Sequence, residues 1–97
     1  MVVIDVNSGK MVTGKSMEET ALRVNLEAVK ELARQLRLRD VGGIVIVDLI
    51  DMEKDKNRQA VLAALKDAVK SDRMPVKIEG ITRLGLLEMT RKRKGEQ

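Results

Sequence analysis

Asp5 and Asp48 are the residues best placed to do chemistry. Asp5 interrupts the β-branched run Val2–Val6, and Asn7 follows two positions later. On an alternating strand, Val3, Asp5 and Asn7 share one face, while Val2, Ile4 and Val6 share the other. Asp48 ends the apolar run Ile44-Val45-Ile46-Val47, on the face of Ile44 and Ile46. In open α/β sheets, sites gather beyond the carboxyl ends of the strands. If the two strands are parallel neighbours, Asp5 and Asp48 converge there. Two carboxylates and an amide oxygen suit Mg²⁺, which takes oxygen ligands at about 2.0–2.1 Å and keeps several waters. Such an ion can bind a phosphodiester oxygen and activate a water for in-line attack. The competing reading is structural. Aspartate at a strand end is commonly a turn former or a cap, Asp51 reads as a cap for the helix after it, and Asn7 reads as a turn residue. An acid between Ile4 and Val6 is costly unless partnered or solvated, so Asp5 suits the structural reading least.

Composition narrows the chemistry further. The chain has 97 residues, with no Cys, no His and no aromatic side chain. Disulfides, thiolate metal sites, cysteine nucleophiles and serine–histidine triads are excluded. Base stacking on aromatic platforms within the chain is excluded too. What remains is carboxylates, amides, hydroxyls, Lys, Arg, or a hard metal on oxygen ligands. The formal net charge is +4, which fits a polyanionic partner without establishing one. Lys10, Lys15, Arg83 and Arg91 are candidate phosphate contacts. Residues 91–97 read as a frayed basic tail. No apolar run approaches the roughly 20 residues of a membrane span.

The elements that must position these residues are legible from pattern. Val2–Val6 and Met11–Thr13, joined by Asn7-Ser8-Gly9-Lys10, predict a β-hairpin. Ser16 with Glu19 forms a capping box at the head of a helix from about Met17 to about Arg39. Leu22, Val29, Leu32, Ala33 and Leu36 form its stripe, acids lead, and arginines trail. Gly42-Gly43 is expected to stop it. Ile44–Val47 predicts a strand covered on both faces. A second helix follows over about Lys54 to Val69, then a strand over Val76–Ile81. Leu84–Met89 reads as a strand or a helical turn. The order ββαβαβ, with a possible last strand, implies an α/β fold: a mixed sheet carrying two main helices, with the strand at Ile44 parallel to that at Val2.

These segments also resemble a known family. IDVNSG at 4–9, EET…NLEA within 18–28, ARQLRLRDVGGIVIVDLIDM at 33–52 and GLLEMTRKR at 85–93 are similar to the catalytic domain of the ribonuclease E/G family. This family includes the bacterial proteins once called cytoplasmic axial filament proteins. The resemblance implies a cytoplasmic, Mg²⁺-dependent endoribonuclease that hydrolyses phosphodiester bonds of single-stranded RNA in RNA processing and decay. Asp5 and Asp48 match its two catalytic, metal-holding aspartates, and Asn7 matches a supporting asparagine. Products would carry a 5′-phosphate and a 3′-hydroxyl, and Mn²⁺ is an expected substitute for Mg²⁺. The subdomain is expected to be deoxyribonuclease-I-like with a ribonuclease H-like core.

Family enzymes are several times longer. They carry an RNA-gripping S1 domain, a pocket for the substrate's 5′-monophosphate, and a cysteine motif that shares zinc between protomers. Residues 1–97 are therefore expected to be a single catalytic-site subdomain of a longer, homo-oligomeric parent. Zinc is not expected here, and the isolated piece is expected to cleave RNA weakly or not at all. Two readings from other classes stand beside this one: a non-enzymatic α/β protein-interaction module, and a nonspecific basic RNA-binding domain.

Overall fold

Helix α1 spans Met17–Arg39, with Glu18 and Glu19 in its first turn and Arg37 and Arg39 in its last. This charge order complements the helix dipole. Ala21, Val29, Leu32, Ala33 and Leu36 form its buried stripe. The computed structural model describes residues 1–6 and 17–93. Four strands complete it with α1 and α2 (Asp55–Ala68): β1 (Val2–Asp5), β2 (Gly43–Asp48), β3 (Val76–Ile81) and β4 (Leu86–Arg91). A short 3₁₀ turn follows α2.

The sheet order is β1-β2-β4-β3. β1 pairs with β2 in parallel, as the strand–helix–strand crossover requires, and β4 pairs antiparallel with both β2 and β3. The fold is therefore α/β with a mixed sheet and two helices, as expected. The described order is βαβαββ. The expected hairpin partner Met11–Thr13 and the capping residue Ser16 lie outside the described residues. The run at Leu84–Met89 resolves into a turn and then β4.

Val45 and Val47 of β2 pack with Leu87 and Met89 of β4 against α1 and against Val61 and Leu65 of α2. Among the described residues, no helix packs on the opposite face of the sheet. Val3 is 63% exposed and Ile44 is 53% exposed. This corrects the expectation that Ile44–Val47 is covered on both faces. Both helices lie on the Val45/Val47 side, so the continuous apolar run has one fully buried face, while on the other Ile44 is exposed and Ile46 half-buried among the described residues.

α1 also ends differently from expectation. Val41 N–H donates to the Leu36 carbonyl and Asp40 N–H to that of Arg37. Asp40 has φ of 48°. This is a Schellman stop with aspartate in the left-handed position usually taken by glycine. Gly42 and Gly43 lie beyond it, and Gly43 begins β2.

Candidate functional site

The parallel register sets Asp5 of β1 directly against Asp48 of β2. Neighbouring strands lie about 4.8 Å apart, and paired residues project to the same side. Asp5 and Asp48 therefore stand side by side at the carboxyl ends of two strands, on the face away from the helices. Asp5 is exposed and Asp48 half-buried. The ladder continues one step further, where Val6 N–H donates to the Asp48 carbonyl at 2.9 Å. On its other side, Asp48 is held by pairing with Leu86.

Behind Asp48 the chain is anchored to α1. Asn25 is fully buried. Its Nδ2 donates to the Ile50 carbonyl at 2.9 Å, and its Oδ1 accepts from Ile50 N–H at 3.0 Å. One side-chain amide thus satisfies both polar groups of a residue that has left the sheet. Asn25 lies in the matched motif at 18–28, but nothing in its spacing reveals this task.

Glu18 fixes the next turn. It accepts from Glu53 N–H at 2.9 Å, Lys54 N–H at 3.2 Å and Asn57 Nδ2 at 2.6 Å. The start of α2 has no cap from its own Lys54 side chain; Glu18 of α1 instead ties down the two amides leading into the helix and the Asn57 side chain of its first turn. These bonds, the one from Asn57 foremost, hold the Glu18 carboxyl below its ordinary pKa. Asp51, expected as the cap of this helix, instead sits over Gly85: its Oδ1 lies 3.1 Å from where a Cβ there would stand.

The basic candidates separate. Asn7, Lys10 and Lys15 lie outside the described residues. Arg83 is exposed in the β3–β4 turn. Arg91 is a correction on two counts. It belongs to β4 rather than to a frayed tail, and its side chain is only 1% exposed, so it is no surface contact for phosphate. Its Nε and NH2 donate to the two Asp72 carboxylate oxygens at 2.8 and 3.0 Å, and its NH1 donates to Asp40 and to the Val41 carbonyl. This bidentate pairing depresses the Asp72 pKa and raises that of Arg91. The burial follows from alternation: Leu87, Met89 and Arg91 share the helix-facing side of β4.

Asp5 and Asp48 suit a hard cation that retains water. Both carboxylates reach solvent, and among the described residues no group of three or more His, Cys, Asp or Glu is placed to enclose an ion. Two carboxylates at one sheet end could contribute to a divalent-cation site that keeps bound water. Among the described residues, no helix is long and apolar enough to cross a membrane.

Comparison with known proteins agrees with the matched segments. The ribonuclease E/G family model matches residues 1–94. The chain is 49% identical over 96 residues to a ribonuclease G from Haemophilus influenzae, covering 99% of this chain and 20% of that protein. It is 48% identical over 93 residues to ribonuclease E from Escherichia coli K12, covering 96% of this chain and 9% of that protein. The chain thus spans a fifth or less of the length of these relatives. With the family model covering nearly every residue, the chain belongs to the ribonuclease E/G family.

Proposed function

We propose that this chain is the metal-holding subdomain of an endoribonuclease that hydrolyses phosphodiester bonds of single-stranded RNA. The observation that carries the reading is the Asp5–Asp48 pairing at the carboxyl ends of parallel strands, in a member of a ribonuclease family. Asp5 and Asp48 would hold one Mg²⁺, with Mn²⁺ as substitute and Asn7 in support. When bound, the ion supplies charge stabilisation at a phosphodiester oxygen and an activated water.

The chain's own residues do the positioning. β2, pinned on both sides, presents Asp48 at a fixed height. β1 brings Asp5 to the same height through the register. Asn25 holds Ile50 and so fixes the path of the chain just beyond Asp48. Among the described residues, no helix stands over the face that carries both carboxylates, which suits a substrate strand passing across them. Action in the cytoplasm and assembly of the parent with copies of itself belong to the same reading.

The test is an amide NMR titration of the chain with Mg²⁺ and then trace Mn²⁺. Joint perturbation around Asp5 and Asp48, lost in Asp5→Asn and Asp48→Asn, is expected. Unchanged metal binding in both variants would sink the reading.

A further inference from the structure

Just beyond Asp48 two segments face each other across a cleft of about 500 Å³. One is the loop Leu49–Glu53 after β2; the other is the β3–β4 turn. The volume lies within the range of small-ligand sites. Ile50, Ile81 and Leu84 give the cleft an apolar wall, and Asp51, Glu53, Arg58 and Arg83 give it charge of both signs. The two sides are clamped where they meet. Leu49 N–H donates to the Gly85 carbonyl at 3.1 Å, and the turn is closed by Gly85 N–H to the Thr82 carbonyl at 3.0 Å. Leu86 N–H adds a bond to Thr82 Oγ1.

The charged residues have different duties. Arg58 is committed: its NH1 donates to the Met52 carbonyl, and its NH2 lies 3.5 Å from Asp55. Arg83 and Asp51 have no hydrogen-bond or ion-pair partner among the described residues. Leu84, between Arg83 and Gly85, is 80% exposed. Among the described residues, a guanidinium with no partner, the Asp51 and Glu53 carboxylates and an exposed aliphatic surface thus border one cleft. The complementary ligand carries an anionic group, a flat apolar face and hydroxyl donors.

The geometry points to this cleft as the seat of a ribonucleotide, the unit of the RNA strand next to the phosphodiester held at Asp5 and Asp48. Arg83 binds the nucleotide's phosphate, for which the planar guanidinium fork is suited. Leu84 and Ile50 cover the base in a chain that has no aromatic side chain to stack on it. Asp51 accepts from the ribose hydroxyls, including the 2′-hydroxyl that separates RNA from DNA. The placement next to the scissile bond rests on the metal-site reading above; the cleft's affinity for a nucleotide does not.

The test separates the two. The ¹⁵N-labelled chain, kept metal-free with chelator, is titrated with uridine and adenosine 5′-monophosphates, their 2′-deoxy forms and inorganic phosphate at constant ionic strength. Shifts confined to the amides of 50–53 and 82–85 are expected with the ribonucleotides. Arg83→Gln should weaken binding about tenfold, and Asp51→Asn should remove the preference for ribose. Asp5→Asn, with its cleft intact, should bind as the parent chain does. No shift at these amides would overturn the inference. So would equal shifts with phosphate alone, or affinities unchanged in both cleft variants. A chain that answers Mg²⁺ at Asp5 and Asp48 but no nucleotide at the cleft overturns this inference alone. The reverse result overturns the metal site alone.

Discussion

Asn25, on the third turn of α1, and Ile50, two residues past Asp48, are joined by two hydrogen bonds that together mimic a step of sheet pairing. A helix side chain therefore does for the departing strand what a neighbouring strand would otherwise do. Asn25→Leu leaves the Ile50 N–H and carbonyl without these partners in a part-buried setting. We expect a loss of about 1–3 kcal/mol, read as a lower urea midpoint. A variant with an unchanged midpoint would show that water replaces the amide.

Removing one of the paired carboxylates should do the opposite. Like charges directly opposite in a sheet are destabilising by about 0.2–1 kcal/mol. In the metal-free chain, Asp5→Asn is expected to raise the melting temperature slightly. Mg²⁺ should then stabilise the parent chain by mass action and leave Asp5→Asn unmoved. In the full-length parent, either substitution should slow RNA cleavage by about a thousandfold, since a bound ion contributes several kcal/mol to the transition state. Retained cleavage in both variants would contradict the assignment.

Asp72 and Arg91 govern the response to acid. The folded Asp72 carboxyl has a depressed pKa, through its hydrogen bonds from Arg91 first. The unfolded chain then binds the proton more tightly, so folding is favoured above the usual aspartate value of about 4. That contribution is lost as pH falls through the folded pKa. Glu18 acts in the same sense. Denaturant midpoints measured between pH 7 and pH 2 should fall steeply in the acid range, and less steeply in Asp72→Asn. At neutral pH, Asp72→Asn should cost about 3 kcal/mol, because the buried guanidinium loses its bidentate charge partner and keeps only Asp40.

Gly85 is the backbone hinge of the β3–β4 turn, with φ of 84°. Alanine there adopts a left-handed conformation that costs about 1–2 kcal/mol. Its Cβ would also stand 3.1 Å from Asp51 Oδ1. Gly85→Ala should therefore lower stability and shift the Asp51 amide, whereas Leu84→Ala, at an exposed tip, should leave stability within about 0.5 kcal/mol. Equal stability of the two variants would remove the conformational argument.

Both helices and three of the four described strands were readable from periodicity and β-branched runs, because each buries one face against the others; the run at Leu84–Met89 was too short to separate a strand from a helical turn, and it forms β4. The meeting of Asp5 and Asp48 was readable too: strand alternation and a parallel crossover dictate it. Arg91 was not readable, because a cation at the head of a basic run looks the same on paper whether it meets water or Asp72. The hold of Glu18 on the chain entering α2 depends on how α1 and α2 pack, which no local spacing encodes. Ile44 misled for a related reason. An unbroken apolar run reports hydrophobicity on both faces of a strand, not which face the helices cover.

β1 has only four residues, and among the described residues its one strand partner is β2. Its side chains sit at the margin of the core rather than within it. Such a segment can detach at a free energy well below that of global unfolding. Each detachment carries Asp5 away while Asp48 stays in place. The two carboxylates are thus held together through a short edge strand, and whatever steadies β1, a cation between the acids or an RNA strand lying across them, would raise the fraction of molecules ready to react.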